Sequence, residues 1–264
     1  MFRIHILDVG RGDSIIIMQF ENGRTYLIDS NVVSDKVTPY DYLTQHLGVT
    51  KLETVVVTHP HTDHILGMQQ IIENISIRQF WMSDYRLKSS THRNLLLALE
   101  RNPDIRVQSP RSGMIVTEGK DRVQVLAPPA NLLSGTHCDA NNASIVLKVT
   151  ITNEKQRTST NVLLGADSQL DSWAYILAEH REKIRADLLK VSHHGSNYGT
   201  YKDVLAAINP QYAVITVGPN PYGHPEQCAL SFLTQATSNR VFRTDVEGVC
   251  VFESDGTSWK YIPL

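Results

Sequence analysis

Alternation of polar and apolar positions dominates the first third of the chain. Arg3 to Val9 (RIHILDV) alternates with a period of two, the pattern of a half-buried strand. A Gly-Arg-Gly-Asp turn follows at 10 to 13, then an apolar run from Ser14 to Phe20, and Asn22-Gly23 marks a hairpin turn into Thr25 to Ile28. A helix is predicted around Pro39 to Leu47, and Leu52 to Val57 reads as a buried β-branched strand ending at Thr58. Helical spacing recurs over Ile65 to Ile75 and Asn94 to Arg101, whereas the rest of the stretch from about 84 to 118 has no clear period. Ile77 to Met82, Val123 to Ala127, Ser144 to Ile151 and Val162 to Leu164 read as strands. A helix with Trp173, Ile176 and Leu177 on one face comes next, then strands at Leu188 to Val191 and Tyr212 to Val217, and a hairpin-like pair over Val241 to Phe252. Strands and helices interleave throughout, which predicts an α/β fold of layered sheets and helices. No repeat, low-complexity tract or linker divides the sequence, so residues 1 to 264 are expected to form one domain.

Composition changes this picture little. With 41% hydrophobic and 20% charged residues the chain is an ordinary globular one, long enough to bury about three quarters of its unfolded surface. A formal net charge of -2 excludes a polybasic DNA-coating protein while leaving room for a local basic groove. The cysteines Cys138, Cys228 and Cys250 are odd in number and lack C-x-x-C spacing, which points to reduced packing thiols. No run approaches about 18 apolar residues, and the N-terminus lacks a signal-peptide pattern. A soluble cytoplasmic protein without membrane insertion is expected.

Histidine changes the picture more. Of eleven histidines, six fall in three clusters: His59, His61 and His64; His193 and His194; and His224. In VVVTHPHTDHILGM, His59 and His61 are two apart in extended chain, point the same way and can chelate one ion, stiffened by Pro60. Asp63 and His64 lie where the chain turns into a helix and face elsewhere, so the loop suits two neighbouring metals. Imidazole and carboxylate suit zinc, and equally iron or manganese. A polar loop capping a helix is the bland alternative.

This H-x-H-x-D-H pattern after a strand resembles the signature of the metallo-β-lactamase superfamily. Other segments agree in order: LIDS with Asp29, LLGAD with Asp167, and KVSHHGS with His193 and His194. With LDVGRGDS, NNASIVL, the NPYGHP loop and FRTDVEG, the chain from about residue 3 to 256 is similar to the soluble metallo-β-lactamase-like domain of ComEC/Rec2 DNA-uptake proteins and their free-standing relatives. The resemblance implies a four-layer αββα sandwich, two divalent ions (Zn²⁺ or Mn²⁺), a bridging carboxylate at Asp167, and second-shell support from Asp29. Several positions depart from the family pattern. Asn142 stands where a third-motif His is usual, with Asp139, Asn141 and His137 nearby as other donors; Arg11 replaces Gln, Asn31 replaces a turn Gly, and Leu66 replaces the first Gly of D-H-x-G-G. Asn tolerates positive φ, so the turn at Asn31 is expected to survive.

Asp167, at a strand end, reads as the bridging ligand or else as an N-cap of the following helix. Adjacent residues of extended chain face opposite ways, so one of His193 and His194 faces the metal; His194 is preferred. Ser196 offers a hydroxyl and an N–H to an anionic oxygen, and His224, in its Gly/Pro loop, a substrate contact or general acid. Asp63, His224 and Ser196 are thus the candidate catalytic side chains, and Asp13 a candidate for steadying a ligand from behind.

A binuclear centre with a metal-bound hydroxide would hydrolyse phosphodiesters, lactones, thioesters or β-lactams. The ComEC-like motifs and the basic excess in the stretch 84 to 118 favour a phosphodiesterase or nuclease acting on DNA. The near-neutral charge leaves a cyclic-nucleotide phosphodiesterase open. A small-molecule ester, lactone or thioester hydrolase would need an apolar pocket in that same stretch. A non-catalytic binding protein rests only on the missing third-motif His.

Overall fold

The computed structural model describes residues 1 to 10 and 16 to 264, and side chains except those of residues 16 and 17 in addition. The turn expected at 10 to 13 and the start of the following run, including Arg11 and Asp13, lie outside the described residues beyond Gly10.

Two mixed sheets face one another. In the first, β1 (Phe2–Ile6), β2 (Ile16–Gln19) and β3 (Thr25–Ile28) form an antiparallel meander, and β4 (Lys51–Val57), β5 (Ser76–Met82) and β6 (Arg106–Gln108) continue from β3 in parallel. The second begins with β7 (Ile115–Glu118), β8 (Asp121–Ala127), β9 (Val146–Asn153) and β10 (Thr158–Leu164), all antiparallel, then runs parallel through β11 (Leu188–Lys190), β12 (Tyr212–Ile215) and β13 (Val241–Arg243). The last strands, β14 (Cys250–Ser254) and β15 (Trp259–Ile262), return to the first sheet beside β1.

The alternating positions of β1 explain the layering. Phe2, Ile4 and Ile6 point between the sheets and pack with Trp81, Val123, Leu147, Val162 and Phe252. On the outer face of the first sheet, α1 (Pro39–Asp41) with the π-wound turn after it, α2 (Thr62–Ile65), α3 (Met68–Asn74) and α4 (Ser90–Glu100) supply Leu43, Met68, Ile71 and Leu95 to a second core. The second sheet is covered by α6 (Leu170–His180), α7 (Lys202–Ile208) and α8 (Gln227–Ala236) through Trp173, Ile176, Leu205 and Leu233; α5 (Asp139–Asn142) and α9 (Thr244–Glu247) are single turns at the connections. The layers are helix, sheet, sheet, helix: the αββα sandwich.

Three local expectations are corrected. The apolar run from Ile65 to Ile75 is two helices, broken at Gly67, where a Cβ would sit 2.4 Å from the Ser30 hydroxyl. Leu66 is 47% exposed, so its departure from the family Gly meets no obstacle. The C-terminal pair is no hairpin, because β13 and β14 belong to different sheets with α9 between them. Positive φ falls at Asp29 (58°) and not at Asn31.

His5, 4% exposed on β1, gives an acid limb to stability. Its ring nitrogens meet the Tyr42 hydroxyl (3.0 Å) and Gln19 Oε1 (3.3 Å), and burial lowers its pKa to about 4. Above its ordinary value near 6.5 both folded and unfolded states are neutral there; between that value and 4 the unfolded chain binds the proton more readily, so stability falls as pH falls. The expected loss between pH 8 and pH 5 is about 2 kcal/mol. Urea unfolding of the parent and of His5→Gln at both pH values checks it: the variant should lose that part of the pH slope.

Candidate metal centre

The parallel strands of both sheets end on one edge, where open α/β folds place their ligands. Asp29 follows β3, His59 and His61 follow β4, Asp167 follows β10, His193 and His194 follow β11, and Val217 to His224 follow β12.

Asp29 is the fulcrum on the first sheet. Its carboxylate accepts from the Thr58 amide (2.8 Å) and hydroxyl (2.7 Å), and its Oδ2 lies 2.8 Å from His64 Nδ1. A carboxylate only accepts, so His64 Nδ1 carries a proton and Nε2 is turned inward. The Thr58 hydroxyl also meets His59 Nδ1 (3.2 Å), and His59 Nε2 lies 3.0 Å from His61 Nδ1. The dipeptide spacing thus aims both rings at one point. The segment after β3 is zipped onto α2 by the Ser30 amide donating to His64 O and the Gly67 amide donating to Ser30 O.

On the second sheet, Gly165 passes so close to Ser192 that a Cβ would sit 2.1 Å from its hydroxyl. The His193 amide donates to Ala166 O (3.0 Å), locking the two loops together. Ala166 (φ 47°), His193 (48°) and His194 (54°) all adopt left-handed backbone, as Asp29 does. Non-glycine residues in this region carry strain of order 1 kcal/mol or more each, and such strain gathers at functional sites. His193 and His194 therefore do not alternate as extended chain would. His194 Nδ1 lies 2.9 Å from Thr216 O, which leaves its Nε2 directed inward; His193 Nδ1 meets the Gln169 amide (3.2 Å).

Everything converges on Asp167, which is 3% exposed. Its Oδ2 lies 3.5 Å from His64 Nε2, 3.7 Å from His194 Nε2, 3.9 Å from His59 Nε2 and 4.0 Å from His193 Nε2. These separations are longer than good hydrogen bonds and suit donors that share an ion at about 2.1 Å from each. Asp167 Oδ1 is buried with no hydrogen-bond partner among the described residues. Asp63, half exposed in the first turn of α2, holds Oδ2 3.8 Å from His194 Nε2. Two groups of donors result, His59–His64–Asp167 and Asp63–His64–His194, each with its donor atoms within 4.8 Å of one another. Residues of this chemistry and spacing fit divalent cations.

The electrostatics agree. Burial holds His59 well below the ordinary imidazole value and also lowers His61, so both stand as neutral donors. At His64 burial is outweighed by the Asp167 and Asp29 carboxylates, which hold it well above that value; at Asp167 burial is outweighed by His64, His194 and His193, which hold the carboxyl well below its usual range.

Two expected site residues have other duties. Asn142 is fully buried; its Oδ1 accepts from the Gln169 and Ser172 amides at the start of α6, and its Nδ2 donates to Thr136 and Asp171. It caps the helix that Asp167 was the alternative cap for, and its carbonyl oxygen is spent there. Ser196 is 1% exposed, its amide donates to His193 O, and its hydroxyl donates to Glu226. Neither donor is left for a substrate. His224 does join the cluster, with its ring 5.4 Å from that of His193 and 6.3 Å from that of His194. Burial, then His193 and His194, lower its pKa, so the ring is neutral. Sequence reasoning missed Glu226, whose carboxylate binds the Ser196–Asn197 turn, and Thr58; single polar residues carry no pattern.

The loop bearing His224 depends on Gly218, where a Cβ would stand 2.5 Å from the Gly10 carbonyl carbon. Backbone cannot yield as a side chain can. Gly218→Ala is expected to lower stability by about 1–3 kcal/mol and to displace the 217 to 224 loop, measured by urea unfolding and by altered His224 resonances in NMR spectra.

The family model of the metallo-β-lactamase superfamily matches residues 8–132. ComE operon protein 3 of Bacillus subtilis (strain 168) is 24% identical over 262 residues, covering 93% of this chain and 32% of that protein. Recombination protein 2 of Haemophilus influenzae is 25% identical over 261 residues, covering 94% and 28%. The chain therefore spans about a third of the length of these curated relatives. Among solved structures, the metallo-β-lactamase fold protein YhfI from Bacillus subtilis superposes with a TM-score of 0.56 at 14% identity, covering 94% of this chain and 99% of that one.

Proposed function

We propose, from the premise that this chain has the metallo-β-lactamase fold and resembles the ComEC/Rec2 type over most of its length, that it is a metal-dependent hydrolase of phosphodiesters, with DNA as its substrate. The observation that carries the reading is the convergence of four imidazoles on the buried Asp167 carboxylate, whose second oxygen has no protein partner among the described residues. His59, His61 and Asp167 would hold one divalent ion, Zn²⁺ or Mn²⁺, and Asp63, His64 and His194 a second, with Asp167 shared. When bound, such ions acidify water and polarise a phosphoryl oxygen. Asp29 fixes His64, and Thr216 fixes His194, each holding a proton at Nδ1 so that Nε2 faces the reacting centre. His224 stands beside the cluster as a neutral hydrogen-bond donor to the departing oxygen.

The surroundings favour a polyanion over an acyl chain. Arg86, Lys88 and Arg93 are exposed on and beside the connection from β5 to α4, at the same sheet edge, with no ion pair among the described residues. An apolar groove of about 350 Å³ does occur in that stretch, between Met82, Leu96, Leu99, Ile105 and Val107. It includes none of the donor residues, so it does not seat an acyl group at the centre. No helix among the described residues is long and apolar enough to cross a membrane.

The test is cleavage of labelled single- and double-stranded DNA by purified protein with Mn²⁺, Zn²⁺ or EDTA. Cutting that requires a metal supports the reading. No cutting by protein that demonstrably binds metal would remove DNA as the substrate and turn the assay to cyclic nucleotides and acyl esters.

A further inference from the structure

Two exposed tyrosines stand on the loops that carry His193, His194 and His224, one stacked on a histidine ring and the other tilted beside one. Tyr198 is 53% exposed, and one face of its ring is stacked on His137, with centroids 4.5 Å apart and planes 12° from parallel. It follows the His193–His194 turn directly: a Cβ at the next residue, Gly199, would lie 3.0 Å from the His193 Cβ. Tyr222 is 65% exposed, with its ring 5.7 Å from that of His224 at 31°. The Asn220 amide pins that loop, accepting from the Tyr222 and His224 amides (3.1 and 3.0 Å) and donating to His224 O (2.7 Å).

The two tyrosine loops are fastened to each other. The Glu226 carboxylate, two residues after His224, accepts from the Asn197 amide (2.8 Å) and side chain (2.5 Å), and the Glu226 amide donates to Gly195 O (3.0 Å). The cleft between Asp63, His194, Gly218, Tyr222 and His224 is small, about 30 Å³, and Tyr222 forms part of its wall. Exposed, pre-positioned aromatic faces beside a backbone-cleaving centre are what unpaired bases stack on. Paired bases inside a duplex do not present their faces.

We propose that Tyr198, backed by His137, and Tyr222, beside His224, are stacking platforms for unpaired nucleobases next to the scissile phosphodiester, so that the site takes single-stranded nucleic acid. This rests on the phosphodiesterase reading for its reaction, but the binding it asserts is measurable without turnover. Glu226 is a positioning residue that sets the spacing of the platforms.

The probe is an oligothymidine carrying one 2-aminopurine, titrated with EDTA-treated protein and followed by fluorescence quenching. Tyr198→Leu and Tyr222→Leu should each weaken binding about tenfold, and Trp at either position should restore it. On the same oligonucleotide with abasic tetrahydrofuran residues the Leu variants should bind as the parent does, which separates lost stacking from a damaged fold. Parent protein should bind the single strand more tightly than its duplex. Equal binding of parent and Leu variants, or an equal loss on the abasic strand, overturns the proposal. Metal-dependent hydrolysis of bis(p-nitrophenyl) phosphate by the parent tests the underlying reading separately. Tyrosine-dependent quenching without any phosphodiester turnover would uphold the platforms and sink that reading; turnover with tyrosine-independent binding would do the reverse.

Discussion

Asp167→Asn should abolish metal-dependent hydrolysis, with a loss of at least about a thousandfold, equivalent to some 4 kcal/mol. The substitution keeps the shape of the side chain and removes the charge on which four imidazole nitrogens converge. An amide that places its NH₂ at the Oδ2 position also sets a donor against the imidazole nitrogens grouped there, so a candidate ligand is turned into a repelling group. Metal content after dialysis should fall in parallel. In the parent, saturating the site with Mn²⁺ or Zn²⁺ should raise the unfolding temperature, because a cation at a hundredfold excess over its Kd stabilises by about 2.7 kcal/mol. The variant should show little of that rise. Hydrolysis within tenfold of the parent would mean that Asp167 is not the shared ligand.

Asp29→Asn should cost about 10–100-fold in metal affinity or activity, although Asp29 is assigned no metal of its own. Its carboxylate is matched to three donors: the Thr58 amide, the Thr58 hydroxyl and His64 Nδ1. Asparagine keeps one oxygen, which the Thr58 amide holds, and turns its NH₂ towards His64. His64 Nδ1 must then accept, its proton moves to Nε2, and the nitrogen facing Asp167 loses its lone pair. Calorimetric titration with Zn²⁺ distinguishes this from simple unfolding. The number of sites should be kept while the affinity falls, and the penalty should shrink as the metal concentration is raised. An unchanged affinity would show that the His64 tautomer is fixed elsewhere.

Much of the candidate site was legible because the mutual placement of neighbouring side chains is a local matter. The spacing of His59 and His61 on either side of Pro60 and the strand-end position of Asp167 follow from short-range geometry, and His59 and His61 do meet, at 3.0 Å; His64, expected to face away from them, instead packs against His59 and joins it at Asp167. The candidates whose polar atoms are engaged elsewhere depend on partners distant in sequence. Asn142 looked like a displaced ligand, but the free amides of α6, 27 residues on, claim its oxygen. Ser196 looked available until Glu226, 30 residues on, took its hydroxyl. The His193–His194 pair was read as extended chain, whereas both residues adopt left-handed backbone, with the His193 amide held on Ala166 O, 27 residues earlier.

The sequence by itself determined the alternation of strands and helices, the apolar faces that make the layers, and which residues near the strand ends carry imidazole and carboxylate. Periodicity is set by backbone geometry, which every segment carries within itself. Only the tertiary structure decided which strands share a sheet, so that the ends of β3, β4, β10, β11 and β12 meet on one edge. It also decided which nitrogen of each histidine faces inward, and which polar side chains were left for a ligand once the backbone amides had been satisfied. Those outcomes turn on single contacts between segments tens of residues apart, where one hydrogen bond or one absent Cβ settles the matter, and such contacts leave no periodic trace in the chain.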